Sequence, residues 1–104
     1  MTDILIRLAA TIKARRYADP ETSWTAKLLS KGPAKAAEKF GEEAIEAIIA
    51  AAQNDRENLT YEAADVLYHL LVMLEATDID LADVLAELEH REGVSGVAEK
   101  AARR

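Results

Sequence analysis

Apolar positions recur three and four residues apart along most of the chain, which is the spacing of one helical face and not the alternation of a strand. Ile4, Leu5, Leu8 and Ile12 set this pattern for a first amphipathic helix over residues 2–17. Asp19 followed by Pro20 joins a good N-cap to a proline at the first helical position, predicting a short second helix as far as Ser30. Gly32-Pro33 ends it and opens a third helix reaching Gln53. After the polar connection 54–58, Thr60 is placed to cap a fourth helix ending near Ala76. Asp80 is placed to cap a fifth, which Gly93 terminates, and Ser95 a short last one. No stretch alternates Val, Ile or Thr with polar residues. The expectation is an all-α single domain over residues 1–104, a short helical bundle around two long central helices.

Those two helices carry more apolar surface than one small domain can cover. On a wheel, the third is apolar or Ala over most of its circumference through Phe40, Ala44, Ile45, Ile48, Ile49 and Ala52, and its charges gather on one arc. In the fourth, Val66, Leu67, Leu70, Leu71, Val72, Met73 and Leu74 point in every direction, leaving a polar stripe of Glu62, Asp65 and His69. A helix apolar all round must be buried all round, and a chain of 104 residues has few layers with which to do it. A two-fold homodimer is therefore expected to complete the bundle.

Composition agrees with helices and removes other classes. Twenty-one residues are Ala and only five are aromatic. A net charge of −6 argues against a general nucleic-acid binder. There is no cysteine, which excludes disulfides, thiolate zinc sites and a Cys nucleophile. Residues 1–3 do not begin a signal peptide, and the longest greasy stretch, 66–74, is far too short to span a bilayer. A soluble cytoplasmic protein is expected. Charge is nonetheless uneven: residues 24–39 carry +3, whereas residues 40–99 carry −13. A basic stretch beside an acidic body is a common solvated pattern, and it is also what a site for both metal and phosphate requires.

The acidic residues are arranged, not scattered. Glu43 and Glu46 lie three apart, as do Glu62 and Asp65, so each pair shares a helical face. Four such carboxylates facing one another across packed helices repel strongly unless a cation compensates them. Acids three apart are usually solvated, but two pairs embedded in otherwise apolar helices outweigh that reading. Oxygen-only donors favour a hard ion, Mg²⁺ or Mn²⁺. A ferritin-like di-iron site needs Glu-x-x-His on two helices, and Glu87-x-x-His90 occurs once.

Lys27, Lys31, Lys35 and Lys39 recur every four residues. They are either partners of Glu38 and Glu43 along the helix or grips for phosphate oxygens. His69 orients a carboxylate, binds substrate, or is a hydrogen-bonded core histidine.

Several blocks resemble the phosphoribosyl-ATP pyrophosphatases of histidine biosynthesis, which are all-α nucleoside-triphosphate pyrophosphatases of the MazG type. They are Ser23-Trp24-Thr25-Ala26-Lys27-Leu28-Leu29, Lys31-Gly32-Pro33, the run Lys39 to Glu46, the run Glu62 to Val72, and the tail Ser95-Gly96 through Ala101. Trp24 stands where the family usually has Tyr, and Phe40 where it has a smaller aliphatic; both read as packing variation. The resemblance implies a Mg²⁺-dependent homodimer that hydrolyses phosphoribosyl-ATP to phosphoribosyl-AMP and pyrophosphate. The chain has no room for the cyclohydrolase of the next step, so a separate one is implied. Glu43, Glu46, Glu62 and Asp65 match the metal-binding acids; Glu42 matches the first Glu of the paired-acid motif, in a supporting role or as the base, and Glu43 or Glu46 is the acid expected to take the proton of the attacking water. Ser95, Gly96 and Lys100 match the family tail, placed to hold the phosphoribosyl phosphate. Two rival readings are a house-cleaning nucleoside-triphosphate pyrophosphatase and a catalytically silent helical dimer acting as an interaction module.

Overall fold

The computed structural model describes residues 3–92 and 100–103, and among these every regular element is a helix. In chain order they are α1 (Asp3–Ala14), α2 (Trp24–Ser30), α3 (Pro33–Ala52), α4 (Arg56–Ala76) and α5 (Leu81–Arg91). The long helices α3 and α4 pack along their length, with α1 and α2 laid against α4.

Two starts differ from those expected. Asp19 does not cap a helix; its carboxylate accepts from the Glu21 amide 2.9 Å away and makes a tight turn. Helix α2 begins only at Trp24, after Ser23, whose buried hydroxyl accepts from the Ala26 amide at 3.1 Å. Helix α4 starts one turn before Thr60, because Asp55 accepts from the Asn58 amide at 3.2 Å and caps it. Thr60 instead donates to the Arg56 carbonyl inside the helix. Helix α1 ends at Ala14, not Tyr17, and continues as turns. The break between α2 and α3 is as read: Gly32 takes φ +88°, which favours glycine, and Pro33 opens α3. The expected stop at Gly93 and the cap at Ser95 lie outside the described residues.

The core is small. Ile12, Leu28, Ala36, Leu71 and Val72 form its buried centre, joining α1, α2, α3 and the C-terminal half of α4. Arg16 closes the far end, donating to Glu75 Oε2 at 2.6 Å and to Asp78 Oδ1 at 3.0 Å. Helix α5 has no buried residue and leaves an apolar cleft of about 320 Å³ against α1 and α4.

Burial all round is not achieved. The face of α3 turned to α4 carries Ala36, Phe40, Glu43, Ala47 and Ala50, all buried or half-buried. The opposite face carries Ile45, Ile48 and Ile49, which remain 58%, 65% and 50% exposed. On α4, Tyr61 and Leu67 are exposed as well. The three isoleucines of α3 thus point away from its own core, while Phe40 faces it.

Candidate metal centre between the long helices

Glu43 faces α4 because it shares a helical face with Ala36, Ala47 and Ala50, which are buried or half-buried there. Glu62 and Asp65 come from the first turns of α4, one turn apart. Carboxylate oxygens of Glu43, Glu62 and Asp65 all lie within 4.8 Å of one another. Glu43 and Glu62 are half-buried, whereas Asp65 is exposed.

The crowding appears in their acidity. Burial, followed by the charge of Glu46 and then of Asp65, raises the Glu43 carboxyl above its ordinary value; nearby His69 opposes this. Burial again leads in raising Glu62, with Glu46, Asp65 and Glu43 adding to it. Glu62 Oε2 is buried without any hydrogen-bond partner among the described residues. A desolvated carboxylate oxygen facing only other acids is costly as it stands. A hard divalent cation would coordinate that oxygen and offset most of the charge of the three carboxylates, so the donor set fits such an ion.

The remaining candidates are sorted by the rotation of α3. Glu46 lies outside the 4.8 Å trio, though close enough to perturb both Glu43 and Glu62. Glu42, about 100° round the helix from Glu43, stays on the surface and accepts from Lys39 Nζ at 3.1 Å. Lys39 is therefore paired with Glu42 and not with Glu43, which is turned inward. Lys35 pairs with Glu38 at 3.3 Å. Lys27, Lys31 and Lys100 are exposed. Ser95 and Gly96 lie outside the described residues.

His69 is 7% exposed, and its Nδ1 donates to the Asp65 carbonyl at 2.8 Å, the arrangement expected of a hydrogen-bonded core histidine. A carbonyl only accepts, so Nδ1 carries the proton in this contact. The ring stands edge-on to Tyr68, centroids 5.0 Å apart. The Tyr68 hydroxyl in turn lies 2.6 Å from Thr25 Oγ1, tying α2 to α4. Neither Thr25 nor Tyr68 was singled out by spacing. The available signal was a phenol inside the greasiest helix, since a buried phenol needs a partner.

Among the described residues, packed helices with an all-oxygen trio between the two longest define an all-α protein whose carboxylate cluster suits a hard cation. The chain belongs to the phosphoribosyl-ATP pyrophosphohydrolase family, whose pattern matches residues 5–92. It is 73% identical over 99 residues to a phosphoribosyl-ATP pyrophosphatase of Rhodobacter capsulatus, covering 95% of this chain and 96% of that protein. Over 100 residues it is 71% identical to the protein of that name from Dinoroseobacter shibae, covering 96% and 98% of the two chains. It is 68% identical to that of Paracoccus denitrificans, covering 96% and 93%. No helix among the described residues is long and apolar enough to cross a membrane.

Proposed function

We infer that the protein hydrolyses phosphoribosyl-ATP to phosphoribosyl-AMP and pyrophosphate, a step of histidine biosynthesis, with Mg²⁺ held by Glu43, Glu62 and Asp65. The observation that carries the metal assignment is the trio itself, with the buried oxygen of Glu62 lacking any other partner. The substrate assignment is supported by relatives that share nearly the whole chain and that name.

Water attacks phosphorus, the anhydride bond to pyrophosphate breaks, and the hydroxyl stays with phosphoribosyl-AMP. Positioning and charge neutralisation supply most of the acceleration in such reactions. Mg²⁺, when bound, neutralises polyphosphate oxygens and polarises the phosphoryl group. Glu46, left outside the trio but beside it, accepts the proton of the attacking water. Lys39 exchanges Glu42 for a phosphate oxygen of the substrate, and Lys27, Lys31 and Lys35 oppose charge accumulating on the leaving pyrophosphate.

The protein acts as a homodimer. Its accessible surface is 7350 Å², whereas a globular monomer of 11.4 kDa exposes roughly 5,800 Å². The radius of gyration is 15.4 Å, against about 13 Å for a compact domain of this length. An excess of about 1,500 Å² on each chain exceeds the roughly 800 Å² per partner of a standard interface and falls in the range of obligate dimers, and the exposed Ile45, Ile48 and Ile49 offer such an interface an apolar surface.

Pyrophosphate release from phosphoribosyl-ATP, compared with a panel of nucleoside triphosphates, tests the reading. Release should be fastest with phosphoribosyl-ATP and should stop with a chelator. Equal or faster release from ordinary nucleoside triphosphates would overturn the substrate, and chelator-resistant release would overturn the metal centre.

A further inference from the structure

The acidic trio and the isoleucine ridge stand on the same half of the α3–α4 hairpin, and that half lies outside the core. Members of the core and the apolar side chains packed on it come from α1, α2, Ala36 of α3, and residues from Tyr68 to Leu81. From Gly41 to Tyr68 only Ala50 is buried. Glu43, Glu62 and Asp65 all fall in this stretch, and so do the exposed Ile45, Ile48 and Ile49.

Within one chain, the outer turns of α3 are therefore held from one side only. Their face towards α4 carries Glu43, Ala47 and Ala50. Alanine methyl groups bury little area with which to fix two helices. Three carboxylates crowd the same contact, and one of them has a buried oxygen without a partner. Like charges at that distance push the helices apart unless they are offset. A cation between α3 and α4 offsets them. A second copy seated on the ridge holds α3 from its other side. The occupant of the ridge is taken to be a second copy because the surface in excess of a compact monomer, about 1,500 Å² per chain, is what an obligate dimer buries.

We propose that dimer formation and cation binding are one linked equilibrium: the partner, seated on Ile45, Ile48 and Ile49, fixes α3 where Glu43 meets Glu62 and Asp65, and a cation at that trio tightens the dimer. This rests on the homodimer and the metal centre proposed above. Both events favour the same placement of α3 against α4, so each makes the other easier. Reciprocity requires the same factor in both directions.

Sedimentation equilibrium at matched ionic strength compares the wild-type dimer in Mg²⁺ with that in EDTA. The dissociation constant should be at least about fivefold lower with Mg²⁺. Ile48→Ala, which loosens the interface without adding charge, brings the same comparison within range if the wild-type dimer does not dissociate measurably. Mn²⁺ binding, followed by electron paramagnetic resonance, should be weaker by at least about fivefold in monomeric Ile48→Asp than in wild type. Glu62→Gln removes one of the crowded charges, so its metal-free dimer should be tighter than wild type and should respond less to Mg²⁺. Equal dimer constants with and without Mg²⁺, or equal Mn²⁺ affinity in monomer and dimer, would overturn the linkage and leave the dimer and the centre standing. A Mg²⁺ effect undiminished in Glu62→Gln would also overturn it, by placing the cation elsewhere. A wild type that stays monomeric in Mg²⁺ would overturn the dimer, one that binds no Mn²⁺ would overturn the centre, and the linkage would fall with either.

Discussion

Replacing Ile48 with Asp tests the proposed dimer. Ile48 is 65% exposed in the single chain and points away from Glu43, so its substitution should leave the fold of one protomer intact. Fully burying an isoleucine contributes about 1.5–3 kcal/mol, so covering the exposed two-thirds contributes about 1–2 kcal/mol. A two-fold axis applies the change twice, giving a loss of about 2–4 kcal/mol. Two carboxylates forced into the same apolar contact add a desolvation cost of several kcal/mol. The sum exceeds about 4 kcal/mol, or roughly a thousandfold in the dimer dissociation constant. Sedimentation equilibrium should give wild type twice the 11.4 kDa chain mass at micromolar concentration. Ile48→Asp should sediment as a single chain with unchanged helicity by circular dichroism. A monomeric wild type, or an Ile48→Asp variant that stays dimeric across the same concentrations, would refute the reasoning.

Three further outcomes follow from the centre and its supports. Glu43→Gln and Asp65→Asn should each lower kcat by about a hundredfold or more with helicity unchanged, measured by pyrophosphate release at saturating Mg²⁺. The pH dependence of metal-free stability has a defined sign. Glu43 and Glu62 have carboxyl pKa values raised above 4.5 by folding, so they hold protons more tightly in the native state. Their stabilising contribution is complete below the ordinary carboxylate range and is lost as pH rises through the raised values. Melting scans without metal should therefore show wild type losing ground to a Glu43→Gln/Glu62→Gln variant as pH climbs from about 4.5 towards neutral, and Mg²⁺ should reverse the order. Constant separation of the two melting curves over that range would contradict the raised acidities. Tyr68→Phe removes one interhelical hydrogen bond, worth about 1 kcal/mol, and should lower the melting temperature by about 4–8 °C. Adding Thr25→Val should recover part of that loss, because no hydroxyl is then left without its partner.

Helix content was legible in the sequence because helical periodicity is local: it needs only neighbours one turn away, and Ile4 to Ile12 or Leu67 to Leu74 supply them. The paired acids were legible for the same reason, since a spacing of three puts Glu43 with Glu46 and Glu62 with Asp65 on shared faces. Helix starts were less so. Asp19 and Thr60 were as suitable for capping as Ser23 and Asp55, but it is Ser23 and Asp55 whose side chains accept the first helical amides. The excess of apolar surface was also readable as a quantity. Its placement, with the Ile45–Ile48–Ile49 ridge outward and Ala36, Ala47 and Ala50 inward, depended on the rotation of α3 against α4. That same rotation put Glu43 into the trio, kept Glu42 on the surface with Lys39, and left Glu46 at the edge. The Thr25–Tyr68 contact joins residues 43 positions apart and has no periodic signature. One-dimensional spacing determines which side chains share a helix face. Only the packing of whole helices, driven by the fit of small residues against large ones, decides what each face meets.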